Sequence, residues 1–296
     1  MDNSFVISTC STADLSKEYL EKRNISYIYF HYELDGKQYP DDLGQTMPFK
    51  DFYDAMRNGA DTKTSQISMG EFLDYFEPML KEGKDVLHLS LSSGISGVVN
   101  SARLAQEELS EKYPDRKLIV IDSLAASAGY GLMIDKLVDM REEGKSIDEV
   151  AEWVQEHKLE LNHWFFTSDL TYLIRGGRVS KTAGFFGGLL NICPLLNVDF
   201  MGRLVARYKI RGKSKVIQAA FQRMAELAKD RENYSEKCFI SNSDCPEDAK
   251  ALSDLIEAHF PKMKGKVEHF SIGTKIGSHT GPGTVALFFW GDKRED

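Results

Sequence analysis

Val86-Leu87-His88-Leu89-Ser90-Leu91-Ser92-Ser93-Gly94-Ile95-Ser96-Gly97-Val98-Val99 is the stretch on which the fold turns. Residues 86–91 are a short apolar run of strand length, and residues 98–109 repeat their apolar positions at helical spacing. Between them lies a loop of small hydroxyls and glycines. Strand, tight loop and helix in that order form the βα unit of a parallel sheet. In an open α/β sheet, ligands bind beyond the carboxyl ends of the strands. Backbone N–H groups at a helix start favour an anion there. Ser93 and Ser96 add hydroxyl donors, while Gly94 and Gly97 let a ligand approach the backbone. The same residues also make an ordinary cap and turn without any ligand.

Working outward, the pattern repeats. Residues 5–7 predict a buried strand, with Ser11 and Thr12 as caps for a helix through residue 22. Residues 25–34 read as extended and meet Asp35-Gly36, a type I′ hairpin signal that returns through residues 37–39. Ser68 with Glu71 and Ser146 with Glu149 are capping boxes, each opening a helix. Pro78, late in the first of these, should bend or weaken it. Residues 118–121 predict a strand and 125–141 a helix. After residue 160 come strands at 164–166, 195–199, 204–208, 238–241, 267–271 and 285–289, with helices at 214–228 and 247–259. The expected architecture is α/β with two α/β domains, 1–160 and 161–296. The first has a largely parallel sheet flanked by helices.

The bulk properties narrow the function. The 296 residues carry a net charge of −8, which argues against a phosphate-tracking surface for nucleic acid. One local exception is the basic run from Arg203 to Lys215. Cys10, Cys193, Cys238 and Cys245 are scattered, as expected of reduced thiols in a reducing compartment. The sequence contains neither a signal-peptide pattern nor an apolar run of membrane-spanning length. A cytoplasmic protein without stable membrane insertion is the expectation. The seven histidines show no paired ligand spacing, so no metal site is predicted.

Three more loops share the character of the first. Thr64-Ser65-Gln66 precedes the Ser68 cap. Arg175-Gly176-Gly177-Arg178 is a cationic turn suited to a carboxylate or phosphate, or equally to surface salt bridges. Residues 276–283 set His279 among glycines, and a histidine in such a loop can donate to an anion or orient a serine. An enzyme reading would use Ser93 or Ser96 with His279 as a serine acyl hydrolase or transferase. Against it, the order Gly94-Ile95-Ser96-Gly97-Val98 misses the G-x-S-x-G elbow, and no acid is evident to orient the histidine.

The ordered set of these loops resembles the DegV family of bacterial fatty-acid-binding proteins. The resemblance runs from Ser11-Thr12-Ala13-Asp14-Leu15 through Thr64-Ser65-Gln66 and the 91–97 loop. It continues through Asp122-Ser123, the 175–180 turn and Leu189-Leu190-Asn191-Ile192 to His279-Thr280-Gly281-Pro282-Gly283. It implies two α/β domains with a ligand tunnel between them, and a long-chain fatty acid as ligand with no other cofactor. It also implies a separate ATP-dependent fatty acid kinase that phosphorylates the carboxylate, so the carrier itself is not an enzyme. Carried over by motif, Thr64, Ser65, Ser93 and Gly94 would meet the carboxylate, supported by His279, with Arg175 near the same mouth. Phe165, Phe185, Phe186, Leu189 and Ile192 would line the acyl chain. Three positions depart from the family pattern: Cys10 where an Asp is usual, Ile67 where Pro is common, and Cys193 where a basic residue often precedes Pro194.

Overall fold

The computed structural model describes residues 5–179 and 192–295. Its first half is built on four parallel strands: β1 (Val6–Cys10), β2 (Ile25–Ile28), β6 (Val86–Ser90) and β7 (Leu118–Asp122), in the order β2-β1-β6-β7. A smaller antiparallel sheet, β4-β3-β5, comprises β3 (His31–Leu34), β4 (Lys37–Pro40) and β5 (Thr62–Ser65). Among its described residues the second half holds six strands in the order β10-β9-β8-β13-β11-β12. They are β8 (Leu161–Phe166), β9 (Ile192–Val198), β10 (Leu204–Arg211), β11 (Cys238–Asn242), β12 (Val267–Ser271) and β13 (Val285–Trp290). Only β11 and β12 pair in parallel there. The fold is α/β, as expected. We place the division between the halves at the turn Lys158–Glu160, where the chain leaves the first sheet for the second.

Helices in the first half are α1 (Lys17–Lys22), α2 (Phe49–Arg57), α3 (Met69–Lys81), α4 (Val98–Lys112), α5 (Ala128–Glu142) and α6 (Ile147–His157). The second half adds α7 (Thr171–Arg175), α8 (Lys213–Leu227), α9 (Pro246–His259) and α10 (Thr274–Thr280). Two of these helices bind the halves together. α5 packs on β1 and also on β8, β11 and β13, so it lies between the two large sheets and is buried on almost every side. Glycines make that possible. A Cβ on Gly129 would stand 2.3 Å from His163 Nε2, and one on Gly131 would stand 2.7 Å from the Ala13 carbonyl oxygen. α10 belongs to the second half by sequence but packs on β3, β5 and α2.

The local signals formed where the chemistry was local. Asp35 and Gly36 both take positive φ, at 48° and 81°, as a type I′ turn requires. Both capping boxes close. Residues 25–34 are not one strand, however. The chain turns at the fully buried Phe30, whose N–H donates to Ser11 Oγ at 3.0 Å while its carbonyl accepts from the Asp41 N–H at 2.8 Å. β2 and β3 therefore belong to different sheets. Ser11 and Thr12 form a 3-10 turn, and Ser16 is the residue that caps α1, its hydroxyl accepting from the Tyr19 N–H. α3 continues through Pro78, which lies on its exposed face near the end.

Candidate functional site

One face of the second sheet forms the floor of an apolar cavity. Strand alternation selects its residues. On β8, His163 and Phe165 point into it, and opposite them on β13 lie Phe288 and Ala286, paired His163↔Phe288 and Phe165↔Ala286. Val198 and Leu204, paired across β9 and β10, extend the same face. The roof comes from Leu173 of α7, Ile276 of α10, and Ile95 and Ala126 of the first half. The cavity is thus closed by both halves of the chain.

Polar groups in the wall are fixed. Burial pushes His163 well below the usual imidazole range; its Nδ1 lies 3.2 Å from the Leu161 carbonyl, and Nε2 faces the Ala126 N–H. Ser127 lines the wall at φ 54°, ψ −153°, a strained conformation for a side-chain-bearing residue. Its hydroxyl donates to Asp14 and lies 3.0 Å from Ser241 Oγ, which holds the residue in place. Among the described residues, Thr280 Oγ1 is buried without a partner.

The cavity ends at α10. His279 lines it, and its Nε2 lies 2.8 Å from Thr64 Oγ1 on β5. Burial, then the charges of Arg178, Lys275 and Arg175, hold His279 down at about 3, so the ring is neutral at physiological pH. With Nε2 protonated, it donates to the Thr64 oxygen and leaves the threonine hydroxyl proton for an anion. A Cβ on Gly176 would stand 2.3 Å from His279 Nδ1, so only glycine lets the 175–178 turn lie against the ring. Arg178, also in the lining, reaches the Ile95 carbonyl at 3.4 Å.

The structure brings the 64–66 segment, the 92–97 loop, the 175–178 turn and α10 to one end of the cavity, and it distributes the expected residues unevenly. Thr64 and His279 meet directly. Ser65 is exposed, and its carbonyl accepts from Lys275 Nζ at 3.1 Å. Ser93 and Gly94 are also exposed; the Ser93 N–H donates to Asp122, and a Cβ on Gly94 would stand 2.6 Å from the Gly202 carbonyl oxygen. The 92–97 loop therefore locks onto the β9–β10 hairpin as well as closing the cavity. Arg175 turns outward, 3.8 Å from Asp61 and stacked on Tyr172, and Arg178 is the arginine in the wall. Phe165 lines the cavity; Ile192 begins β9 outside its lining. Phe185, Phe186 and Leu189 lie outside the described residues.

His279 sits in the last turn of a helix, not in a loop. Its hydrogen-bond partner among the described residues is Thr64, neither Ser93 nor Ser96, and its other nitrogen faces Gly176, not an acid. The Ser96 hydroxyl instead accepts from the Val98 N–H at the start of α4. Among the described residues, no group of His, Cys, Asp and Glu could hold a metal, and no helix is long and apolar enough to cross a membrane. The three departures are all buried: Ile67 in the main core, Cys193 on β9, and Cys10 beside His88 Nε2 at 3.7 Å. None of them lines the cavity.

A model of the DegV family, described as uncharacterised proteins, matches residues 4–292. The chain belongs to the DegV family. A DegV domain-containing protein of Clostridium perfringens is 41% identical over 292 residues, covering 98% of this chain and 99% of that one. Among solved structures, a fatty-acid-binding DegV family protein from Thermus thermophilus superposes with a TM-score of 0.85 at 27% identity, covering 97% and 99% of the two chains. The Fatty Acid Kinase (Fak) B3 protein of Streptococcus pneumoniae, loaded with linoleic acid, shares the fold with a TM-score of 0.83 at 22% identity, covering 98% and 100%.

Proposed function

We propose that this DegV protein is a cytoplasmic carrier that encloses the tail of a long-chain fatty acid and presents its carboxylate to a separate ATP-dependent fatty acid kinase. The observation that carries this reading is a cavity, apolar along a sheet face and bounded at one end by the polar groups of Thr64, His279 and Arg178. Each methylene buried there contributes about 0.8 kcal/mol. A dozen outweigh a few charge-assisted hydrogen bonds, so the tail sets affinity and the head sets orientation. The fatty-acid ligand of the Thermus thermophilus protein supports the choice of ligand.

Presentation rests on the mouth. Thr64 is half-buried and Ser93 and Arg175 are exposed, so a head group at Thr64 would be within reach of a partner's phosphoryl donor. Among the described residues, the hydroxyl beside His279 is that of Thr64, neither Ser93 nor Ser96 bonds to the ring, and its other nitrogen faces Gly176 and not a carboxylate, which favours a carrier without a catalytic step of its own. Four unpaired cysteines, all buried, suit a reducing compartment.

The test is mass spectrometry of lipid released by denaturing protein purified from a bacterial host, together with titration of palmitate and oleate. A stoichiometric fatty acid supports the reading. Empty protein that binds neither acid ends it. Acyl-phosphate formation that requires both this protein and an added kinase tests presentation separately.

A further inference from the structure

Lys275 and His279 are four residues apart on α10 and so share a helix face. Both reach adjacent residues of β5: Lys275 Nζ lies 3.1 Å from the Ser65 carbonyl oxygen, and His279 Nε2 lies 2.8 Å from Thr64 Oγ1. A lysine in such a place is unusual, because Lys275 is only 4% exposed. The other group against its ammonium is the Phe30 ring, 4.9 Å away.

The charges around it do not balance. Asp41 is the carboxylate that acts on Lys275, but it is engaged by other donors. It accepts from the Ser11 hydroxyl at 2.7 Å, the Thr274 hydroxyl at 2.6 Å and the Lys275 backbone N–H at 3.2 Å. Among the described residues, Lys275 makes no ion pair. Arg178 repels it from the cavity wall, and the partners of Arg178 among the described residues are carbonyl oxygens. His279, one turn on, is neutral. Arg178 in the cavity wall and Lys275, one turn from the lining residue His279, therefore stand near the same end of the cavity with no carboxylate paired to either among the described residues, an arrangement that costs free energy unless something neutralises it.

We propose that Lys275 is a head-group residue whose counter-ion is the ligand's own carboxylate, so that the site selects an anionic head and becomes charge-balanced only when filled. This rests on the fatty-acid reading above and adds to it the residue that recognises charge. Burial and Arg178 bring the free ammonium down to about 7. An arriving carboxylate reverses that, so at about pH 8 binding draws a proton onto Lys275.

The experiment compares palmitate with hexadecanol, which has the same tail and a neutral head, by calorimetry at about pH 8 in two buffers of different ionisation enthalpy. Wild type is expected to prefer palmitate and to take up close to one proton with it. Lys275→Met should lose roughly ten- to hundredfold of palmitate affinity, keep its hexadecanol affinity and take up no proton. Because the substitution removes a desolvated charge, the unliganded variant should melt no lower than wild type. Lys275→Arg, permanently charged, guards against misfolding of the first variant: it should keep palmitate within a few fold and take up no proton. Palmitate affinity and proton uptake unchanged in Lys275→Met, or proton uptake retained in Lys275→Arg, overturn the proposal. Wild type that binds neither lipid overturns the fatty-acid reading itself.

Discussion

Thr64 Oγ1 and His279 Nε2 lie 2.8 Å apart across 215 positions of sequence, joining the small sheet of the first half to the last helix of the second. This one hydrogen bond fixes the polar end of the cavity. It also couples head-group recognition to the way α10 docks.

Thr64→Val keeps the shape and removes the hydroxyl. A neutral hydrogen bond to a ligand contributes about 0.5–1.5 kcal/mol, so palmitate affinity should fall roughly two- to tenfold by titration calorimetry. The valine also leaves His279 Nε2 without its acceptor, so His279→Ala combined with Thr64→Val should cost less than the sum of the two.

The unliganded protein should grow more stable as pH rises from 7 to about 8.5. Lys275 sits at about 7 when folded and about 10.4 when unfolded, so in that window the unfolded chain holds the extra proton. Raising the pH removes the cost of ionising a buried amine, which is fully gone only above the unfolded value. The urea midpoint should climb in wild type and stay flatter in Lys275→Met. Above about pH 9 the buried thiols act the other way. Cys10 and Cys245 are pushed up by burial to about 12, so their unfolded forms ionise first.

Gly129→Ala tests the wedge between the sheets. The new Cβ would stand 2.3 Å from His163 Nε2 and 2.7 Å from the Phe288 ring, so both rings must shift, and the space open to them is the cavity they line. Overpacking of this kind costs about 1–3 kcal/mol, to be read as a lower urea midpoint. Addition of saturating palmitate should recover less of that loss than in wild type, since the same contact narrows the cavity.

These sites separate what sequence reasoning can reach from what it cannot. Asp35-Gly36, the two capping boxes and the loop at 92–97 were legible because their causes lie within a few residues of one another. The helix α5 was legible as a helix. That Gly129 and Gly131 face two different sheets was not, because a helix buried on every side leaves no apolar stripe to read. His279 among glycines reads as a loop. Yet α10 forms because Asp41 and Asp14, more than 200 positions away, accept from the Thr274 hydroxyl and from the Lys275 and Gly273 N–H groups at its start. Arg175 and Arg178 are equivalent in sequence; in the fold Gly176 packs on His279, Arg178 lines the cavity and Arg175 turns out to Asp61 and Tyr172. Lys275 gave no signal, since a single lysine in a polar segment reads as surface.

Ala286→Phe separates tail from head. Ala286 lies on β13 directly across from Phe165, with Phe288 two residues on along the same face. A phenyl ring there projects into the cavity from the sheet face, whereas Thr64, His279 and Lys275 belong to β5 and α10. If the acyl chain runs along this floor, the ring displaces its far methylenes at about 0.8 kcal/mol each, so losing three costs about 2.4 kcal/mol, or more than tenfold in affinity for a long chain. A shorter acid that never reached the ring should bind as before. Lipid released from the purified variant should therefore shift to shorter chains by mass spectrometry, whereas Thr64→Val should lower occupancy with the chain-length distribution unchanged. An unshifted distribution in Ala286→Phe would mean that the acyl chain takes another path and that this sheet face is ordinary core.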